Sequence, residues 1–137
     1  MPRNPIIRHK IAIVGSRKFS NLQWVRKFVQ LLPINSIVIS GGASGVDFTA
    51  EAEARQRNMY RIVFHAGWWT DDKKGAGFQR NSWLVDYADS VIAFWDGSSR
   101  GTNDSITKAK DYSKKLIIIR DKQDFDKACE WALNLPG

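Results

Sequence analysis

The chain has 137 residues, 43% of them apolar and 26% charged, with six Trp and a formal net charge of +7. This composition describes one ordered domain with room for a single substantial core, and it excludes a disordered or repeat-built chain. No apolar run could span a bilayer, residues 1–10 lack the apolar stretch of a signal peptide, and the lone Cys129 has no internal disulfide partner, so a reducing cytoplasm is the expected setting.

In chain order, residues 10–14 predict a buried strand whose weak alternation suits a parallel strand covered on both faces. Residues 21–32 predict a helix: Ser20 or Asn21 can cap it, Leu22, Val25, Phe28, Val29 and Leu32 share one stripe, and Pro33 stops it. A strand over 36–40 leads through a glycine turn into a helix over 46–58, where Ala50, Ala52 and Ala54 favour helix. A third strand over 60–65 ends at His65. Residues 66–77, with Gly67, Trp68, Trp69, Gly75 and Gly77, have no clean period and predict a long loop. A helix over 79–88, a strand over 90–95, a helix over 103–113, a strand over 115–119 and a helix over 123–133 follow. This alternation predicts a single α/β domain in three layers, with a parallel sheet of about five strands, right-handed crossovers and a basic extension over residues 1–9.

Three small-residue turns fall at strand ends, where ligands of such sheets bind: Gly15-Ser16-Arg17, Gly41 to Asp47 and Gly97 to Thr102. In the first, Gly15 permits close approach, Ser16 offers a hydroxyl and Arg17 a guanidinium suited to phosphate; a tight turn with a solvated arginine is the plainer alternative. In the second, Gly41, Gly42 and Gly45 permit positive φ, Ser44 can donate, and Asp47 either caps the following helix or accepts a ribose hydroxyl. In the third, Gly97, Gly101 and the Thr102 hydroxyl gather with the N–H groups of residues 101–103 at a helix start. The strand–turn–helix pattern, occurring three times, points to a phosphorylated ligand.

Charge is concentrated at one end. Residues 1–46 carry Arg3, Arg8, Lys10, Arg17, Lys18, Arg26 and Lys27 and no acid, while residues 47–137 hold 14 basic and 14 acidic side chains. Such a basic third can steer a polyanion, or it can be a solvated face. His65 is a rim ligand or catalytic group, or simply structural. Trp68 and Trp69 either stack on a base or close an apolar edge. One Cys and two His with no ligand spacing offer a metal little to bind, and no cofactor is expected.

Residues 11–17 (IAIVGSR), 39–54 (ISGGASGVDFTAEAEA), 80–81 (RN) and 88–110 (ADSVIAFWDGSSRGTNDSITKAK) together resemble the SLOG superfamily, in particular its YspA-like branch, a domain of unknown function. That superfamily also holds the Lonely-guy phosphoribohydrolases and the Rossmann core of DNA-processing protein A. The resemblance spans roughly residues 10–120 and implies a Rossmann-like fold that binds nucleotides or signals derived from them, and assembly into homo-oligomers. It also implies that Arg80 binds phosphate or ribose. The phosphoribohydrolases carry a catalytic Glu where this chain has Ser105, and Asn81 stands where they have lysine.

The expected function is therefore binding of a nucleotide or ADP-ribose-like molecule, its phosphates on Gly15 to Arg17 and Gly97 to Thr102, with Arg80 and Asn81 assisting and Gly41 to Asp47 near the ribose. One alternative is N-glycosidic cleavage of a nucleoside 5′-monophosphate, for which Arg80, Asp104 and His65 are the candidate catalytic residues. Another is single-stranded DNA binding by the basic N-terminal third, lost on neutralising Arg3, Arg8 and Lys10. No membrane partner is expected.

Overall fold

The computed structural model describes residues 8–66 and 76–137. Arg3 and most of the predicted loop over 66–77, including Trp68 and Trp69, lie outside those residues. Five strands, β1 (Lys10–Gly15), β2 (Ile37–Ser40), β3 (Tyr60–Val63), β4 (Ser90–Phe94) and β5 (Lys115–Ile119), alternate with α1 (Leu22–Leu31), α2 (Val46–Gln56), α3 (Ala76–Tyr87), α4 (Arg100–Asp111) and α5 (Lys122–Leu133).

All strand pairs are parallel, in the order β3-β2-β1-β4-β5. β1 is central, with Ala12 opposite Ile39 of β2 and Ile13 opposite Ile92 of β4. Side chains alternate between the two faces of the sheet. Ile11, Ile13, Val38, Ile92, Phe94 and Ile119 meet α1, α2 and α5 on one face, whereas Ala12, Val14, Ile39, Val91 and Ala93 meet α3 and α4 on the other. Both faces are covered, which is why the strands read as nearly unbroken apolar runs rather than as alternating ones. The topology switches sides between β1 and β4, so the chain leaves their carboxyl ends in opposite directions and opens a crevice there.

Aromatic packing fixes α1 against α5. Trp24 stacks on Phe125 with centroids 5.0 Å apart, and Phe28, fully buried, stacks on Trp131 at 6.5 Å and meets Phe94 edge-on. Asn21 occupies the N-cap position of α1 but makes no side-chain capping bond. At the other end Leu32 is extended (φ −69°, ψ 146°), the conformation that Pro33 imposes on the residue before it. The orphan carbonyls of that helix end are taken up from a distance, because Arg57 Nη1 donates to Val29 O at 2.6 Å and Leu32 O at 2.9 Å. Arg57→Ala is expected to cost about 2 kcal/mol in urea unfolding, since half-buried carbonyls lose a charged donor; an unchanged midpoint would show that water replaces it.

Element ends depart from the sequence expectations for local reasons. β3 stops at Val63, and its ladder finishes with Phe64 N–H on Ser40 O, because β2 offers no further residue for His65 to pair with. α2 ends two residues early, with Asn58 in the left-handed region at φ 55°, and α4 likewise with Ser113 at φ 56°. α3 starts three residues early and takes in Gly77, where a side chain would meet nothing within 4 Å. α4 also starts early, at Arg100, because Ser99 Oγ caps it by accepting from Thr102 N–H at 3.5 Å.

Candidate functional site

The crevice at the carboxyl ends of β1 and β4 is built from the first turn outward. A Cβ on Gly15 would lie 2.6 Å from both Phe94 O and Val46 Cγ2, so β1 passes between β4 and α2 only as glycine. Ser16 is buried: its N–H donates to Phe94 O at 3.0 Å and its hydroxyl accepts from Asp96 N–H at 3.1 Å. The hydroxyl expected to meet a ligand instead fastens β1 to the turn after β4. Arg17 and Lys18 follow, exposed, on the rim.

The second turn folds back on the first. Gly45 has φ +79° and a Cβ there would fall 2.5 Å from Arg17 O, so the two turns pack backbone to backbone. Asp47 does not cap α2, whose N-cap position is held by Gly45. Its Oδ2 accepts from Gly41 N–H at 3.0 Å and Ala43 N–H at 3.5 Å, bracing the turn from inside. The carboxyl is 4% exposed, and burial pushes it up to about 6, against the opposing pull of the Gly41 N–H and the Arg80 guanidinium.

Arg80 on α3 crosses to this turn. Its Nη1 donates to Gly41 O and, at 3.3 Å, to Phe64 O, while its Nε donates to Asn81 Oδ1 at 2.8 Å. Burial lowers its pKa, Asp47 offsets part of the loss, and the nearby Arg17 charge adds to it. Asn81 continues the chain of polar contacts, donating to Asp104 Oδ2 at 3.1 Å and Gly101 O at 3.3 Å. Asp104 is in turn paired with Lys108 at 2.7 Å.

The third turn is shaped by Asp96, whose Oδ1 accepts from Ser98 N–H at 2.9 Å and Ser99 N–H at 2.8 Å; these donors hold the exposed carboxyl below its usual range. The Thr102 hydroxyl bonds to Ser99 Oγ at 3.2 Å and Asn103 N–H donates to Ser99 O at 3.1 Å, so the Thr102 hydroxyl and the N–H groups of Thr102 and Asn103 are engaged within the turn.

Together these turns enclose a cleft of about 370 Å³. Of the residues singled out in the sequence, Gly15, Arg17, Gly41, Asp47, Arg80, Asn81, Gly101 and Thr102 line it. Ser16, Gly42, Ser44, Gly45, Gly97, His65 and Asp104 lie outside its walls. Gly42 packs against His65, where a Cβ would meet Nδ1 at 2.8 Å, and Gly97 against Arg120, whose Nη2 lies 2.5 Å from the Cβ position. Val14, Lys18, Ala43, Asp96, Ser99 and Ser105 complete the walls; the readable signal for Lys18 was its place beside Arg17. Three cations, Arg17, Lys18 and Arg80, thus face two acids, Asp47 and Asp96. Among the described residues no group of His, Cys, Asp and Glu is placed to hold a metal, and no helix is long and apolar enough to cross a membrane.

Comparison with known proteins agrees with this architecture. A family model for DNA recombination-mediator protein A matches residues 4–71, the stretch that carries β1 to β3 and the first two turns. The solved structure of DNA processing protein A from Streptococcus pneumoniae is 20% identical with a TM-score of 0.73, covering 90% of this chain and 55% of that one. DNA processing protein A from Helicobacter pylori, whose structure concerns a single-stranded DNA binding mode, is 20% identical with a TM-score of 0.63, covering 93% of this chain and 74% of that one. The chain therefore spans about half the length of the first of these proteins. No curated protein matches. What the chain shares with both solved proteins is the fold, a Rossmann-like α/β domain with an all-parallel five-stranded sheet.

Proposed function

We propose that the cleft binds single-stranded DNA, holding a backbone phosphate among Arg17, Lys18 and Arg80. The observation that carries this reading is the gathering of those three cations on one crevice at the carboxyl edge of the sheet, close enough that Arg17 weighs on the Arg80 charge. The family match over β1 to β3, and the single-stranded DNA binding described for the Helicobacter protein, support it. The N-terminal cations take a different place. Arg8 sits over the Tyr60 ring at 4.2 Å and Lys10 over Tyr87 at 4.3 Å, by the starting ends of β3 and β1, at the opposite edge of the sheet. On this reading Arg17, rather than Arg8 or Lys10, governs affinity.

Anisotropy of a labelled oligo-dT over a salt series tests it. Three phosphate-facing cations predict a slope of log affinity on log salt of about −2, and Arg17→Ala is expected to make it shallower by about 0.7 while weakening binding several-fold. The double variant Arg8→Ala/Lys10→Ala is expected to bind like wild type. Equal binding by Arg17→Ala and wild type would sink the proposal.

A second reading places a free nucleotide or ADP-ribose-like molecule on the same cations. The cleft's volume of about 370 Å³ favours it, since small-molecule sites begin at about 300 Å³. Calorimetry with AMP and ADP-ribose separates the two, because only this reading expects tight binding without a polymer.

A further inference from the structure

We infer that Asp47 acts as an internal anion that tunes which phosphate this cleft accepts, reducing the advantage a dianionic phosphate would otherwise have over a singly charged phosphodiester. The inference rests on the reading of the cleft as a phosphate site.

The argument starts from the second glycine turn. Backbone N–H groups of such turns are natural anion cradles, yet here Gly41 and Ala43 N–H both point at the Asp47 carboxylate. The anion position of that turn is thus filled from within the chain, by a side chain 4% exposed that also lines the cleft. Its countercharge cannot swing away. Arg80 is fastened through Nη1 to the Gly41 and Phe64 carbonyls and through Nε to Asn81, so it reaches an incoming ligand only from beside Asp47. Glu51, one turn further along α2, adds negative charge, and Arg17 on the first turn adds positive charge near Arg80. A phosphate entering between Arg17, Lys18 and Arg80 therefore meets a fixed negative charge that it cannot displace without unbracing the turn. Coulomb energy scales with the product of charges, so the penalty for a dianion is twice that for a monoanion. In affinity, the factor for the dianion is the square of the factor for the monoanion.

A matched pair of probes isolates this term: thymidine 5′-monophosphate and its methyl ester share base and sugar and differ by one charge at about pH 7.5. Each is used to displace labelled oligo-dT from wild type and from Asp47→Asn, whose amide oxygen still accepts from Gly41 N–H. Wild type is expected to bind the two within about threefold. In Asp47→Asn the ester is expected to gain about threefold and the monophosphate about tenfold. Equal gains, or none, overturn the inference, as does a wild type that binds the monophosphate more than about tenfold tighter than the ester. If Asp47→Asn does not fold, that wild-type ratio decides the matter alone. An oligonucleotide that binds while neither probe competes at millimolar concentration overturns the inference and leaves the proposed function standing; an oligonucleotide that does not bind overturns both.

Discussion

The stability of Asp47→Asn relative to wild type should rise by about 2 kcal/mol between pH 4 and pH 7. Burial raises the Asp47 carboxyl from an ordinary 3.8 to about 6 in the folded protein. The folded state therefore binds this proton more tightly than the unfolded chain does, and the group favours folding most at low pH. As pH climbs through the interval from 3.8 to about 6 that advantage disappears, and above it wild type carries the cost of a buried charge, about 3 kcal/mol for a rise of this size. Asparagine keeps an oxygen for Gly41 N–H and has nothing to titrate. Urea unfolding followed by tryptophan fluorescence at several pH values measures the difference directly. A difference curve flat from pH 4 to 7 would mean that Asp47 is no harder to ionise folded than unfolded.

Gly45→Ala is expected to destabilise by about 3–4 kcal/mol, combining a backbone strain of about 2 kcal/mol with overpacking of similar size. At φ +79° and ψ −119° the residue sits where only glycine is comfortable, and the new methyl would lie 2.5 Å from Arg17 O and 3.0 Å from Arg17 Cα. Those neighbours are backbone atoms and cannot rotate away. Relief requires the first and second turns to separate, which also moves Arg17, so on the proposed reading affinity for oligo-dT should fall together with stability. Gly101→Ala supplies the contrast. Nothing lies within 4 Å of its Cβ position in the first turn of α4, and the substitution should be neutral or stabilise by up to about 1 kcal/mol. Similar losses at both positions would show that the glycines answer to something other than these approaches.

The contrast between Gly45 and Gly101 shows what a glycine-rich turn conveys in a sequence. The three turns were readable, and so was their location at strand ends, because strand–turn–helix alternation fixes where a parallel sheet places its connections. The purpose of each glycine was not readable. Gly15, Gly41, Gly42, Gly45 and Gly97 are all hemmed in by the protein's own atoms, namely Phe94 O and Val46, Arg80, His65, Arg17 and Arg120. Asp47 illustrates the same limit: a helix cap and a ribose acceptor were the alternatives on local grounds, and rather than capping α2 the carboxylate turns back to Gly41 and Ala43.

The sequence by itself determined the fold class, the five strands and five helices to within a few residues, and the position of Arg17 on a rim. These follow from local periodicity, from proline and glycine punctuation, and from apolar runs that only a doubly covered parallel sheet can bury. The family resemblance already set Arg80 beside the Arg17 turn, and only the tertiary structure added Lys18 to the cleft and set Arg8 and Lys10 apart from it. Arg80 reaches it from α3 across the sheet, while Arg8 and Lys10, closer to Arg17 in sequence, stand at the opposite edge on Tyr60 and Tyr87. The physical reason is that a strand of six residues, β1, carries the chain about 20 Å from one end of the sheet to the other. That distance exceeds the Debye length of about 8 Å at physiological salt. Charges close in sequence therefore stand at opposite ends of the sheet, and charges far apart in sequence line the same cleft.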